Sequence, residues 1–158
     1  MTAPEAPPAA DNRLLAEVRV PARADRLAVV RGTVHAALRA AGCDALADDV
    51  VLAVDEACQN VVRHAYGGDT DGDLVVRLSR APDRLFVELR DYAPPVDPDA
   101  VCGRDPADVR PGGLGTHFIE TIMDDTRFLS PPRGVGNLLR MTKRLPAHLR
   151  LEGEGDTP

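Results

Sequence analysis

The chain has 158 residues, a length typical of one domain with a hydrophobic core of its own. Hydrophobic residues make up 44% and charged residues 28%, which fits a globular protein and excludes a wholly disordered chain. A net charge of −6 and an aromatic fraction of 3% argue against a protein that binds the nucleic acid backbone or stacks on bases.

The chain shows no sign of export or of membrane insertion. Residues 1–13 have no basic region followed by an apolar run, and no stretch of eighteen apolar residues occurs. The three cysteines, Cys43, Cys58 and Cys102, form neither an even set nor a C-x-x-C pair, so neither a disulfide framework nor a zinc site is expected. We therefore expect a cytoplasmic protein with no direct contact with a membrane or with nucleic acid.

The first half of the chain predicts one strand followed by two helices. Residues 1–11 are rich in Ala and Pro and are expected to form a flexible leader. A short apolar run at 14–20 predicts a strand, and apolar residues spaced by three and four predict amphipathic helices at 24–41 and 44–66. Glycines at 67 and 68 end the second helix.

The second half predicts a hairpin, a helix and two further strands. The runs 74–79 and 85–90 flank a short turn, and the segment 93–113, rich in Pro, Gly and Asp, is expected to be functional or mobile. A third helix at 114–124, with Phe118, Ile122 and Met123 facing inward, precedes strands at 126–129 and 137–145. This order predicts an α+β fold over residues 12–146, a two-layer sandwich with helices on one face of a mixed sheet, and a flexible tail at 147–158.

Two polar residues on the second helix are candidate ligands. Glu56 and Asn60 are four residues apart, so they share a helix face that avoids the apolar stripe. Carboxylate and amide oxygens suit Mg²⁺, which often binds together with substrate phosphates. The alternative is an ordinary solvated helix face, since this pair occurs by chance in many helices.

Two other features are candidate parts of a binding site. The run Gly112-Gly113-Leu114-Gly115 directly precedes the third helix, where backbone N–H groups and the positive helix end favour an anion. A helix start or hinge without a ligand is the alternative, and the run matches neither a P-loop nor a dinucleotide-binding motif. Asp91 ends an apolar strand, where its carboxylate either faces a pocket or forms a turn.

The order of these features resembles a known family. The segments that carry the resemblance are VVLAVDEACQNVVRHAY, LFVELRDYAPP, PGGLGTHFIETIMDD and GNLLRMTKRL. Together they resemble the GHKL ATPase superfamily, which has the Bergerat-type ATP-binding fold, and within it the anti-sigma-factor serine/threonine kinases. The resemblance spans residues 14–145.

The resemblance implies a role for each candidate residue. It implies that Glu56 is the catalytic base, that Asn60 is the Mg²⁺ ligand and that Asp91 binds the adenine amino group of ATP. By the same resemblance, the segment 93–112 matches the ATP lid, and Gly113-Leu114-Gly115 matches the family's second glycine box, whose backbone would hold the phosphates. The remaining nucleotide-binding residues implied are Ala93, Gly112, Gly113, Leu114, Gly115 and Thr116.

The same resemblance implies the activity and the partners. It implies a kinase that uses ATP and Mg²⁺, phosphorylates a STAS-type anti-sigma-factor antagonist, sequesters a sigma factor and forms a homodimer. One departure leaves an alternative, because the family's first glycine box, D-x-G-x-G, is Asp91-Tyr92-Ala93-Pro94-Pro95 here. Pro95 has a fixed φ and no N–H, so a stiffer lid hinge is expected. The alternative is a non-catalytic module that binds a nucleotide, or none, and sequesters its partner.

Overall fold

The computed structural model describes residues 12–95 and 113–151, which contain five strands and three helices. The strands are β1 (Arg13–Pro21), β2 (Asp73–Arg80), β3 (Arg84–Asp91), β4 (Asp125–Leu129) and β5 (Asn137–Arg144). The helices are α1 (Leu27–Ala40), α2 (Asp44–Asn60) and α3 (Gly113–Ile122). Short 3₁₀ turns at Ala24–Arg26 and Ala147–Leu149 precede α1 and follow β5. The predicted order of elements is confirmed, with bounds that differ by a few residues.

The strands form one sheet in the order β1-β2-β3-β5-β4. Each of the four pairings is antiparallel, so the predicted α+β class is confirmed, whereas the prediction of a mixed sheet is wrong for the described strands. The connections explain the difference. Two helices join β1 to β2 and return the chain to neighbouring, antiparallel positions. Among the described residues, α3 follows β3 and precedes β4 along the chain. The strands β3 and β4 run in the same direction, but β5 lies between them in the sheet and pairs with both.

The core lies between one face of this sheet and the helices. Along β3 the inward residues Leu85, Val87 and Leu89 are buried and alternate with more exposed ones, as expected for a strand with one covered face. On α1 a buried stripe at spacings of three and four packs against α2 and β1, and consists of Leu27, Val30, Val34 and Leu38. Each such aliphatic side chain contributes about 1.5–3 kcal/mol on burial. Cys43 and Cys58 are buried free thiols in the same core.

The two ends of the central strands serve as reference points below. At one end Leu74 of β2 pairs with Asp91 of β3, and Asp91 pairs with Asn137 of β5; we call this the Asp91 end. At the other end Arg80 of β2 lies between Arg13 of β1 and Leu85 of β3; we call this the Arg80 end. Leu74 and Arg80 are six residue steps apart along β2, or about 20 Å at 3.3 Å per residue.

The face of α3 that packs against the core differs from the predicted one. Ile119 and Met123, four residues apart, are buried, whereas Phe118 is 44% exposed, so the prediction that Phe118 faces inward is wrong. Neighbouring helical residues differ by about 100° in direction, and the buried pair is the one that meets the core. None of the helices in residues 12–95 and 113–151 has both the length and the apolar character needed to cross a membrane.

The folded part extends beyond residue 146. Residues 147–151, assigned from sequence to a flexible tail, include the turn Ala147–Leu149, and the Leu151 N–H donates to the Pro82 carbonyl at 3.0 Å. The Arg150 Nε donates to the Leu145 carbonyl at 3.0 Å. The predicted leader at 1–11 and the rest of the predicted tail, 152–158, lie outside the described residues.

Candidate nucleotide-binding site

Glu56 and Asn60 lie on the last turns of α2 and are both half-buried. Their helix neighbours Asp55 and Gln59 are hydrogen bonded to each other at 2.7 Å and face α1, where Asp55 also pairs with Arg31 at 2.8 Å. Within the part of the chain that the structure describes, by contrast, neither the Glu56 carboxylate nor the Asn60 amide has a hydrogen-bond partner. Two adjacent polar side chains are therefore available to a ligand.

The helix changes its winding directly after Asn60. Val61–Ala65 forms a π-helical turn, in which the Tyr66 N–H donates to the Val61 carbonyl at 3.0 Å. Such turns are rare and occur often at functional sites, because the extra residue shifts the direction of the side chains that follow. Here the shift brings Tyr66 to the sheet. The sequence predicted a continuous helix to residue 66, and this local departure was missed.

Tyr66 links the end of α2 to the Asp91 end of the sheet. Its hydroxyl donates to the Asp73 carbonyl at 2.7 Å and accepts the Tyr92 N–H at 2.9 Å. Asp73 begins β2 and Tyr92 follows β3, so both contacts lie at the same end of the sheet as Asp91. Burial raises the pKa of Tyr66 and keeps this hydroxyl protonated. The end of the helix that carries Asn60 is thus fixed beside Asp91.

Asp91 is a buried carboxylate, 4% exposed, with an asymmetric set of partners. Its Oδ1 accepts the Asn137 side-chain N–H at 2.8 Å and the Ala93 backbone N–H at 3.0 Å. Its Oδ2 accepts a hydrogen bond from none of the described residues. Burial raises the pKa of Asp91, and the two N–H donors, led by Asn137, limit that rise. The arrangement presents one acceptor oxygen to a ligand that brings its own donor.

The altered glycine box adopts its turn without glycine. Ala93 is buried, and no described residue other than glycine has a positive φ, so the segment Tyr92–Pro95 needs no left-handed residue. The close approach that a glycine permits occurs at the residue directly before β5. Gly136 donates its N–H to the Asp91 carbonyl at 2.8 Å, and a Cβ at Gly136 would lie 1.9 Å from the Ala93 carbonyl oxygen. Gly136 therefore allows the backbone of Ala93 to pack against β5.

The N-terminus of α3 points toward the same end of the sheet. The helix packs against α2, and its last carbonyl, Ile122, accepts the Lys143 ammonium at 2.5 Å near the Arg80 end. Its ten residues extend about 15 Å from there, antiparallel to α2. Gly113, Leu114 and Gly115 form its first turn, and Thr116 is exposed. Gly112 and the predicted lid from residue 96 onward lie outside the described residues.

The predicted site residues thus come from three elements. The end of α2 and the end of β3 meet at the Asp91 end of the sheet, and the N-terminus of α3 points toward it. Three supporting residues were missed by sequence reasoning: Tyr66, Gly136 and Asn137. The segment GNLLRMTKRL contains the last two, but nothing in its pattern marks them as partners of Asp91. No group of three or more His, Cys, Asp or Glu side chains suited to a metal occurs within residues 12–95 and 113–151. The role of Asn60 as a Mg²⁺ ligand stays a prediction of the family resemblance.

Comparisons with known proteins show the family of the chain. A family model described as histidine kinase-like ATPase domain matches residues 20–143. The chain is 32% identical over 125 residues to the serine-protein kinase RsbW of Bacillus subtilis (strain 168), which covers 70% of this chain and 75% of that relative. It is also 32% identical over 143 residues to the serine-protein kinase RsbW of Bacillus velezensis, covering 82% and 84% of the two chains. The RsbW of Listeria innocua is 35% identical over 88 residues, or 51% of this chain and 56% of that relative. The resemblance predicted from the motifs is confirmed, and the chain belongs to the histidine kinase-like ATPase domain family.

Proposed function

We propose that this chain is a cytoplasmic regulatory kinase that transfers the γ-phosphoryl group of ATP to a serine or threonine of a STAS-type anti-sigma-factor antagonist. In this proposal it also sequesters a sigma factor, acts as a homodimer and has no direct contact with nucleic acid. The observation that carries the proposal is the meeting of Glu56, Asn60 and the open oxygen of Asp91 at one end of the sheet. The serine-protein kinase names of relatives that share most of the chain support this reaction class.

Adenine recognition follows from the asymmetry of Asp91. Because two N–H groups occupy Oδ1, the open Oδ2 accepts the exocyclic amino group of adenine. Guanine has a carbonyl at the corresponding position, so two acceptors would face each other in a buried site. A site built on such a hydrogen bond rejects the wrong ligand strongly, because a buried polar group is left unpaired.

Phosphoryl transfer depends mainly on positioning and charge neutralisation. In the proposed site the Asn60 amide oxygen holds Mg²⁺, which when bound neutralises charge on the phosphates. The backbone N–H groups of the first turn of α3 contribute further positive potential for the same phosphates. Glu56 accepts the proton of the attacking hydroxyl, so the oxygen–hydrogen bond breaks as the oxygen bonds to phosphorus and ADP leaves.

A second candidate function is a non-catalytic module that binds a nucleotide, or none, and acts by sequestering its partner. The observation that favours it is the segment Tyr92–Pro95, where two prolines stand at the start of the lid. Proline lacks an N–H and holds φ near −65°, so this hinge closes less readily than one with glycines. The two candidates differ in one outcome, the transfer of phosphate to a partner.

The test is incubation of the full chain with Mg²⁺ and γ-labelled ATP, with and without candidate STAS-domain antagonists. Label on the antagonist supports the kinase, whereas nucleotide binding without any transfer supports the second candidate. Glu56→Gln should keep ATP affinity and lower transfer by about 10²–10⁴-fold, since only the proton acceptor is removed. The matched control is Asp49→Asn, an exposed acid seven residues earlier on the same helix, which should leave transfer unchanged.

Asn60→Ala separates metal binding from chemistry. We expect weaker Mg²⁺-dependent ATP binding, with a free energy of unfolding within about 0.5 kcal/mol of the wild type, because Asn60 has no partner among the described residues. Calorimetric titration of ATP with and without Mg²⁺ measures the first effect. Equal affinities in the variant and the wild type would remove Asn60 from the metal site.

A further inference from the structure

Arg80, at the far end of the sheet from Asp91, is a buried cation. It is 7% exposed and faces the helix layer at the end of β2. Its Nη1 donates to the Ala41 carbonyl at 2.7 Å and lies 3.4 Å from the Cys43 sulfur, and its Nη2 donates to the Leu149 carbonyl. Its Nε is buried and has no hydrogen-bond partner among the described residues. Neutral groups therefore make up all of its described contacts.

No counter-ion for Arg80 lies within the described part of the chain. The acid nearest in sequence, Asp83, pairs with Arg84 at 2.7 Å, and Asp44, which follows Cys43, pairs with Arg39 at 3.1 Å. Burial raises the pKa of the Cys43 thiol, so at neutral pH its sulfur supplies no negative charge. The Ala41 carbonyl at the end of α1 contributes only the partial charge of a helix terminus. A buried charge balanced by neutral acceptors alone is unusual in proteins.

A pocket of about 250 Å³ opens beside this guanidinium. Among the described residues, its wall contains a second cation, Arg13 of β1, and no acidic residue. The remaining lining is aliphatic and consists of Leu14, Leu15, Ala37, Ala40, Ala41 and Leu151. Two positive charges in a chain of net charge −6 make this pocket a local exception to the overall charge. The pocket therefore suits a ligand with an anionic head group next to a short apolar body.

We propose that this pocket is a second ligand site, which binds a small organic acid with its carboxylate between Arg13 and Arg80 and its aliphatic chain against Leu15 and Ala37. The exposed Arg13 guanidinium matches a carboxylate in geometry as well as in charge. Arg80, whose terminal nitrogens already donate to carbonyl oxygens, supplies positive charge close by. A volume of about 250 Å³ has room for the chain of a short aliphatic acid. The site lies about 20 Å from Asp91, six residues along β2, so it is separate from the candidate nucleotide site and does not depend on the proposed kinase activity.

The probe is hexanoate, which has eight non-hydrogen atoms, titrated into the full chain and followed by calorimetry and by amide chemical shifts. We expect shifts at Arg13, Leu15 and Ala37, and an affinity at least tenfold higher than for 1-hexanol, which lacks the charge, or for acetate, which lacks the chain. Arg13→Gln should weaken hexanoate binding about tenfold. Arg77→Gln, a change on the same sheet at an arginine that pairs with Glu17, should have no effect.

Arg80→Met should abolish hexanoate binding, and Arg13→Gln provides the same test if the buried substitution prevents folding, because Arg13 is exposed. Equal binding of hexanoate and 1-hexanol, or of hexanoate in Arg13→Gln and the wild type, would overturn the proposal. The acidic residues that follow Leu151 are another source of a carboxylate for this pocket. A variant of the full chain with Glu152, Glu154 and Asp156 changed to amides tests whether they occupy it. Hexanoate binding in that variant alone would mean that the chain's own acids occupy the pocket, which also overturns it.

Discussion

The two ends of the β2–β3 pair each bury one charged side chain, and they do so in opposite ways. Asp91 is 4% exposed and Arg80 is 7% exposed, and neither forms an ion pair within the described residues. At Asp91 both neutral donors converge on a single oxygen, which leaves the other oxygen open. At Arg80 neutral acceptors occupy both terminal nitrogens, and the unpaired Nε is enclosed.

The difference shows what each end is suited to bind. A carboxylate with one open oxygen suits a neutral donor such as an amino group, which adds a hydrogen bond without adding charge. A guanidinium with neutral partners and a second cation close by suits an anion, which adds the missing charge. Burial of a charge without an opposite charge is costly in both cases. A hydrogen-bond donor therefore stabilises the Asp91 end, and an anion stabilises the Arg80 end. The predictions below test the Asp91 end, since the proposed acid site at Arg80 has its own experiment.

The largest effect is expected from Gly136→Ala, which disrupts the backbone packing at the Asp91 end. The added Cβ would lie 1.9 Å from the Ala93 carbonyl oxygen, so β5 or the turn after Asp91 must move. We expect the free energy of unfolding to fall by about 3 kcal/mol, measured by urea denaturation. The matched control is Gly32→Ala in α1, where nothing lies within 4 Å of the new Cβ. That change should stabilise the protein by about 0.5–1 kcal/mol, and a similar loss in both variants would contradict the close approach.

Local patterns account for most of what the sequence predicts correctly. Helical spacing places Glu56 and Asn60 on one face, and the end of an apolar run places Asp91 at the end of a strand, because both depend on residues close in sequence. The buried pair on α3 was predicted less well. Phe118, Ile119, Ile122 and Met123 are all apolar, so the pattern allows two phases, and only packing against the core selects the one with Ile119 inward.

Tertiary pairing determines what the sequence does not predict. Asn137 is 46 positions from Asp91, and the two meet only because β5 enters the sheet beside β3 in one particular register. The buried Arg80 was missed for the same reason, since its acceptors Ala41 and Leu149 are 39 and 69 positions away. The π-helical turn after Asn60 was missed because Val61, Val62 and Ala65 also fit an ordinary helical stripe.

The second prediction is that Asp91→Asn weakens ATP binding by at least tenfold, about 1.4 kcal/mol, and narrows the preference for ATP over GTP. The N–H groups of Asn137 and Ala93 hold the acceptor oxygen of the new amide in the place of Oδ1. Its NH₂ then takes the place of Oδ2 and presents a donor to the ligand, which opposes adenine and favours guanine. Dissociation constants for both nucleotides measure the effect, with the exposed Asp83→Asn as control. A full ATP preference in Asp91→Asn would remove Asp91 from adenine recognition.

The third prediction concerns the donor that orients Asp91. Asn137→Ala removes one of the two hydrogen bonds to Oδ1 and should lower the free energy of unfolding by about 1 kcal/mol. ATP affinity should fall severalfold, less than in Asp91→Asn, because Ala93 still holds the same oxygen. If Asn137 acts through Asp91, the double variant with Asp91→Asn should lose less binding free energy for ATP than the two single variants lose together. Strict additivity would assign Asn137 an independent role.

The smallest effect is the pH dependence of stability at Asp91. Burial raises its pKa in the folded protein, so the folded state holds this proton more tightly than the unfolded chain does. The contribution of Asp91 to stability is therefore full below its unfolded pKa and is lost as the pH rises through the higher folded pKa. Asp91→Asn does not titrate, so its free energy of unfolding relative to the wild type should increase with pH across the acidic range and then level off. Denaturation of both proteins from pH 3.5 to 7 measures this difference, in which the other titrating groups largely cancel.

Asp83 provides a control of opposite sign on the same hairpin. The Arg84 guanidinium beside it lowers the pKa of that carboxyl group, so its contribution is present above the unfolded pKa and is lost as the pH falls. The difference between Asp83→Asn and the wild type should therefore slope the other way. If the free-energy difference for Asp91→Asn slopes with pH in the same direction as that for Asp83→Asn, the folded protein stabilises the ionised form of Asp91, which would contradict a raised pKa. Nucleotide binding checks the same ionisation independently, because ATP affinity should weaken as the pH drops through the raised pKa of Asp91 and Oδ2 becomes protonated.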